Sequence, residues 1–334
     1  MSPAFNNGGN HDNDGMKIGN TIIEDTYAEG FGMRYSRLIV TAHDQHWLDA
    51  GLTEFCGYGS SVILCDAETA VELPKVENSI DGRPAASVLA FGFSADGLAK
   101  AIAKRTSQCL MTCPSTAVYD GMKVAGELPF EVVPEDPEDA KQIPLGDHIR
   151  FFGDGFQKSK IIGDRRFWRI PVMEGEFIIE DATSCRKGVA GGNFLIQSID
   201  LPSGLDAARR AVEAIKPIPN VITPFPGGVV RSGSKVGSKY KDLVASTSHP
   251  FCPTLRDKVE SKVHADANCV LEIVINGVNF ESVAAAMKVG ILAACDSETA
   301  GDSIVSISAG NYGGNLGKHH FKLHEVMQST ITEP

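Results

Sequence analysis

Residues 228–235, GVVRSGSK, set four residues between two glycines and follow them with Ser-Lys. A phosphate-binding P-loop reads G-x-x-x-x-G-K-[ST], so the last two residues are exchanged here. That motif also needs a helix directly after the loop, so that the helix N-terminus and the lysine converge on phosphate. VGSKYKDLVASTSH follows instead, with more breakers and no apolar stripe. A nucleotide-binding protein built on the 228–235 loop is therefore the weaker reading. The stretch does offer backbone uncovered by side chains, at Gly227, Gly228, Gly233 and Gly237, and positive charge from Arg231, Lys235, Lys239 and Lys241. Such a loop suits an anionic group, and Lys235 and Lys239 are the candidates to hold an acidic tail. A solvated surface loop has the same composition.

Two more glycine-rich segments share a Gly-Asn-aromatic signature. VAGGNFLI (189–196) carries Gly191, Gly192 and Asn193, and ISAGNYGGNLGK (307–318) carries Asn311, Tyr312 and Gly313. Glycine loops at strand ends gather ligands in α/β proteins. Their N–H groups, with Asn193, Asn311 and Ser234, are candidate donors to an oxyanion; turn and cap roles occupy the same residue types just as readily. Glu272 lies in VLEIVING, among apolar residues of a strand pattern. A Glu there either faces water from an edge strand or is buried for a purpose.

Other reactive residues lack company. The eight cysteines contain no C-x-x-C pair, and Cys65, Cys109 and Cys113 would need an activating base to act as nucleophiles. His319, His320 and His324 lie in KHHFKLHE, where His320 and His324 would share a strand face, without partners for a metal site.

The elements that must position these residues follow from periodicity. RLIVTA (37–42), SVILCDAE (61–68), ASVLAFGFS (86–94) and CLMTCPS (109–115) read as strands, with helices over 44–59 and 95–105. The Pro-rich, acidic segment 126–148 reads as an exposed connector. HIRFFGDGF, RRFWRIPVM and GEFIIED then read as extended. Strands over 192–200, 220–225, 269–277 and 303–310 alternate with helices over 203–216 and 280–295, the last capped by Asn279. The fold class is α+β: two ferredoxin-like, split-βαβ lobes in one tightly associated subunit. Residues 1–16 form a disordered lead-in, 17–147 the N-terminal lobe and 148–334 the C-terminal lobe.

The 334 residues are 43% hydrophobic with a net charge of −11, enough for a sizeable core and poorly suited to nucleic acid. No run reaches the ~18–20 apolar residues of a membrane span. A cytoplasmic protein without nucleic-acid or membrane partners is expected.

Many blocks in one order resemble a known family. IEDTYAEGF (23–31), GYGSSVILCDAE (57–68), QCLMTCPSTAV (108–118), FFGDG (151–155), IPVMEGEF (170–177), VAGGNF, PFPGG, SGSKVGSK, EIVING (272–277), ISAGNYGG and LGKHHFKLHEV carry the likeness, from about Gly19 onward. The family is the formyltransferases that move a formyl group from formylmethanofuran to tetrahydromethanopterin. The resemblance implies direct transfer between two coenzyme substrates, methanofuran and tetrahydromethanopterin, with no metal and no permanently bound cofactor. It implies a homotetramer, a dimer of dimers, with further subunits of a formyltransferase/hydrolase complex as an open alternative. It also makes Glu272 the catalytic carboxylate; the reading of the glycine loops adds Asn193 and Asn311 as candidate catalytic donors. Gly191, Gly192, Gly227, Gly228, Ser234, Lys235, Lys239, Tyr312 and Gly313 are the expected coenzyme contacts. A non-catalytic assembly subunit that keeps the fold is the remaining alternative.

Overall fold

Asp44, Ser94, Asp200 and Asn279 each stand just ahead of an apolar-periodic stretch. In the computed structural model each side chain accepts the N–H of the residue three positions on, at 3.2, 3.1, 2.9 and 2.8 Å. These caps start α1 (Gln45–Cys56), α2 (Ala95–Arg105), α4 (Leu201–Ile215) and α5 (Phe280–Ala294), while the short α3 (Gly146–Ile149) has no side-chain cap. The structure describes residues 15–123, 141–232, 235–296 and 301–330. Of the expected lead-in, residues 1–14 lie outside these, as do 126–140 of the expected connector.

The strands build two copies of one topology. After a hairpin of β1 (Lys17–Ile18) and β2 (Thr21–Ile23), the first lobe runs β3 (Tyr27–Thr41), α1, β4 (Glu68–Leu73), β5 (Ala85–Gly92), α2, β6 (Ala117–Asp120). β3 pairs antiparallel with β5 and β6, and β5 pairs with β4, so the order across the sheet is β6-β3-β5-β4. The second lobe runs β11 (Ala182–Ser198), α4, β12 (Val221–Ile222), β15 (Cys269–Gly277), α5, β16 (Ile304–Ser308). Its order, β16-β11-β15-β12, repeats the first. Both are the split-βαβ arrangement, so the α+β expectation holds. The long strands β3 and β11 pair with each other from Phe31–Ala190 to Tyr35–Arg186, which merges the two sheets.

The intervening segment adds to both lobes. β7 (Lys141–Pro144) pairs with β11, so the described end of the expected connector is a strand with Ile143 buried, not exposed coil. β8 (Lys158–Ile162), β9 (Arg165–Val172) and β10 (Gly175–Glu180) form a meander that joins the first sheet by parallel pairing of β10 with β6. Near the end, β13 (Lys235–Val236) pairs only with β14 (Ala245–Ser246), and β17 (His319–Lys322) pairs with β3.

Four elements differ from expectation. Residues 61–66 are turns, and the strand starts only at Glu68. CLMTCPS is no strand: α2 runs on into a π-helical turn, Thr106–Leu110, and then turns. HIRFFGDGF is helical at α3 and in a 3₁₀ turn, Arg150–Gly153, with Phe151 and Phe152 exposed. The strand expected over 220–225 is confined to Val221–Ile222.

The second lobe's core explains how its cleft face is set. Leu271, Ile273 and Ile275 of β15 bury against Ala207, Ala211 and Ile215 of α4 and Val283, Met287 and Ile291 of α5. Burying each large aliphatic side chain stabilises by about 1.5–3 kcal/mol. With the odd positions of β15 in the core, the even positions, Glu272, Val274 and Asn276, face the opposite side. Among the described residues no helix is long and apolar enough to cross a membrane.

Candidate active site

Glu272 is 5% exposed. Its backbone is held on both sides: β15 pairs it with Leu195 of β11, and its N–H and C=O exchange bonds with Val230 at 2.9 and 2.8 Å. Two cavities meet at this residue. One, of about 150 Å³, is walled largely by Phe31, Met33, Val62, Ile63, Phe93 and Phe225, with Glu29, Glu68 and Gly191 among its polar edges. The other, of about 310 Å³, carries Lys235, His249, Lys262 and Asn311. Asn193, Val236, Glu272 and Tyr312 line both. The first is apolar and edged by carboxylates; the second is edged by cations.

The glycine loops reach this junction by different routes. Gly191 sits at φ +82°, a left-handed bend that a side chain rarely adopts, and it lines the apolar cavity. Gly192 faces the other way. A Cβ there would come within 2.2 Å of Val283, so this glycine lets α5 pack on β11 and has no contact to offer a ligand. Asn193 ties the loops together: its Oδ1 accepts the Gly310 N–H at 2.6 Å, and its Nδ2 donates to the carbonyls of Gly191 and Gly310 at 3.0 and 3.2 Å. Asn311 donates to the Tyr27 carbonyl at 3.2 Å and accepts from Gly313 at 3.4 Å. Both amides hold backbone, the role Asn so often fills in turns.

Glu29 is not among the expected site residues, yet it shapes the 310–317 loop. Its carboxylate is fully buried and accepts four backbone N–H bonds, from Tyr312, Gly314, Leu316 and Gly317, at 2.6–2.9 Å. Burial alone would raise its pKa; the four N–H donors reverse this and hold the group below its ordinary 4.5. A depressed folded-state pKa contributes stability that is present above 4.5 and is lost as pH falls through the folded value. Glu29→Gln turns one acceptor into a donor facing two N–H groups. The melting temperature of wild type should therefore exceed that of Glu29→Gln at neutral pH, and the gap should close on acidification below 4.5. A gap independent of pH would remove this account.

Tyr312 stands beside Glu272. Burial, with the negative charges of Glu272 and Glu29, pushes its hydroxyl up to about 12, so it stays protonated at neutral pH. Lys235 lies against His249, Nζ to Nδ1 3.3 Å; an ammonium only donates, so Nδ1 accepts. Lys239 is exposed over the Tyr240 ring, 5.1 Å from its centroid, and lines neither cavity. Gly227 and Gly228 border a separate hollow with Arg209 and Glu213 of α4 and Lys216 at its end, which touches the apolar cavity only through Phe225. Gly313 is exposed on the 310–317 loop, and Ser234 and Gly233 lie outside the described residues. No helix follows the 228–235 loop: the chain forms the two-residue β13 instead, so it is not a P-loop.

The other candidates fall elsewhere. Burial pushes the thiols of Cys65, Cys109 and Cys113 above their ordinary value, and none lines either cavity. His320 and His324 do not share a strand face, because β17 ends at Lys322 and His324 lies in the helical turn Leu323–Gln328. There its Nε2 meets the Ile23 carbonyl at 2.8 Å. Glu68, also absent from the expected residues, lines the apolar cavity, where Asn276, from a distant part of the chain, donates to it from behind the wall.

Comparison with known proteins follows the same order as the motifs. A family model described as formylmethanofuran-tetrahydromethanopterin formyltransferase matches residues 16–172, and one described as FTR, proximal lobe, matches 175–326. The chain is 47% identical to a formylmethanofuran–tetrahydromethanopterin formyltransferase of Methylococcus capsulatus, over 93% of this chain and 100% of the relative. Among solved structures it resembles the formylmethanofuran:tetrahydromethanopterin formyltransferase of Methanosarcina barkeri, with TM-score 0.81 and 40% identity over 93% of this chain and 100% of that one. It also resembles a chain of the formyltransferase/hydrolase complex of Methylorubrum extorquens bound to methylofuran, with TM-score 0.85 and 39% identity over 94% and 99%.

Proposed function

The chain belongs to the formylmethanofuran–tetrahydromethanopterin formyltransferase family, and from that premise we propose that the junction at Glu272 is its reaction centre. The protein is a formyltransferase of C1 metabolism, and methanofuran and tetrahydromethanopterin are its coenzyme substrates. The observation that carries the placement is that one buried carboxyl lines two cavities of opposite character. Two coenzymes seated in them would present their reacting nitrogens to the same group.

The chemistry needs such a group. The pterin N5 attacks the formyl carbon, and the carbonyl oxygen becomes an oxyanion in a tetrahedral intermediate. The attacking nitrogen loses a proton, the C–N bond to the furfuryl amine breaks, and that amine gains a proton. Glu272 takes the first proton and returns it to the leaving nitrogen, so one carboxyl serves both steps. Tyr312, a protonated hydroxyl at the junction, can donate to developing charge. Asn193 can do so when its Nδ2 turns from the Gly310 carbonyl to the oxyanion. Direct transfer accords with thiols that burial keeps protonated.

The cationic cavity takes the more acidic coenzyme, held by Lys235. With the purified protein and both coenzymes, Lys235→Glu should raise one KM about tenfold, the equivalent of about 1.4 kcal/mol, and leave the other within twofold. Lys239→Glu, on an exposed lysine, should change both little. Equal, negligible effects at Lys235 would remove this role, and absence of any transfer by wild type would remove the activity itself. We further propose a cytoplasmic homotetramer, which light scattering on the purified protein would test: a monomer sinks it. The Methylorubrum extorquens neighbour sits in a formyltransferase/hydrolase complex, and co-purification would reveal further subunits here.

A further inference from the structure

Glu68 is the first residue of β4, buried at 8% exposure, and it lines the apolar cavity together with Glu272. Its oxygens are met by neutral donors: Oε1 accepts the Val62 N–H at 2.9 Å and Oε2 accepts from Asn276 Nδ2. Burial pushes its pKa up, and those two donors only partly offset this. Asn276 then passes the polarity on: its Oδ1 accepts the Gly191 N–H at 3.1 Å. Gly191 offers its carbonyl to Asn193, and Asn193 holds Gly310. A single directed chain therefore crosses the cleft wall, Glu68–Asn276–Gly191–Asn193–Gly310, joining the 62–68 loop of one lobe to both glycine loops of the other.

We propose that Glu68 and Asn276 are positioning residues for formyl transfer, fixing the Gly191 bend and, through Asn193, the wall that faces Glu272. This rests on the reaction centre proposed above. The direction of each bond makes the pair specific. Glu68 must accept twice, because Val62 and Asn276 both donate. Asn276 must donate to Glu68, because its oxygen is committed to Gly191. A carboxamide at position 68 brings one donor against another in every orientation: against Val62, against Asn276, or, if Asn276 flips, against Gly191. Glu68→Gln combined with Asn276→Asp removes every clash. The carboxamide at position 68 then accepts from Val62 and donates to the new carboxylate at position 276, which accepts from Gly191, and net charge is unchanged.

The test measures kcat and both KM values well below the melting temperature, with hydrogen exchange of residues 188–194. Glu68→Gln should lower kcat about 10- to 100-fold, the scale of a sub-ångström to 1 Å misplacement. Both KM values should stay within about threefold, and exchange over 188–194 should quicken. The double variant should recover kcat to within about threefold of wild type and restore slow exchange. A purely structural role would lower the melting temperature and leave kcat of the folded enzyme alone. Glu68→Gln with kcat within twofold of wild type overturns the proposal, as does a double variant no better than either single one. If Glu68→Gln does not fold, the double variant against Asn276→Asp decides: folded and active supports it, folded and inactive sinks it. Wild type without transfer fails the reaction-centre reading, and this role falls with it; active wild type beside an indifferent Glu68→Gln fails the positioning role alone.

Discussion

Glu272→Gln is expected to lower kcat for formyl transfer by about 10²- to 10⁴-fold, the range for loss of a positioned acid–base group, with both KM values little changed. The substitution keeps the side chain's size and planar shape, exchanges one acceptor oxygen for an NH2 donor, and removes the capacity to take a proton from one nitrogen and give it to another. Position 272 has little freedom to compensate: β11 and Val230 pin its backbone, and the even-numbered face of β15 points it into the cleft. Melting should hold or rise, because a buried charge is exchanged for a neutral group. Single-turnover transfer with both coenzymes, beside a melting curve, separates the two effects. Full activity in the variant would move the proton carrier elsewhere, with Glu68 the next carboxyl on the cavity wall. Equal losses in activity and folded fraction would make Glu272 a structural group.

The parts of this site legible in the sequence are those that depend on near neighbours. The cap at Asn279 and the period of α5 are local, and the helices stand close to where such periodicity puts them; Ser94 and Asp200 cap α2 and α4 as well. Glu272 is conspicuous as a carboxylate in an apolar run, but the reason is plainer in three dimensions. Leu271, Ile273 and Ile275 supply the apolar face, and Glu272 and Val274 line the cleft on the other, with Asn276 buried on that same side behind Glu68. Two of the misread stretches share one cause. SVIL (61–64) is apolar because Val62 and Ile63 wall a cavity, and Phe151 and Phe152 are exposed, so hydrophobicity there does not report a core strand. Glu29 and Glu68 are out of reach of any local pattern. Their partners Gly317 and Asn276 lie 288 and 208 positions away, and the pairing of β3 with β11 brings the lobes together.

The joint between those lobes carries the second large effect. Arg37 on β3 and Glu72 on β4 form a buried bidentate pair, at 2.8 and 2.7 Å, with side chains 1% and 0% exposed. Glu72 also accepts from Ser87 Oγ at 2.7 Å and from the Asn220 N–H of the second lobe at 2.8 Å, while Arg37 donates to Asn220 Oδ1 at 2.8 Å. Glu72→Ala takes the bidentate carboxylate away from a buried guanidinium and strands the Asn220 N–H. The expected cost is about 3–5 kcal/mol. Removing both charges, as Arg37→Met with Glu72→Leu, should cost less than Glu72→Ala alone, because desolvating the ion pair offsets much of its attraction. The double variant should still fall short of wild type, since the partly buried Asn220 amide and N–H lose their partners. Chemical denaturation of the three proteins orders them. If the double variant is the least stable, the pair is a net source of stability rather than a polar lock between lobes. If Glu72→Ala melts like wild type, the lobes are held by strand pairing, β3 with β11 and β17, and not by this polar group. Because Asn220 leads into β12, which flanks the Glu272 strand, the polar-lock reading also requires Glu72→Ala to lose kcat at temperatures where it remains folded.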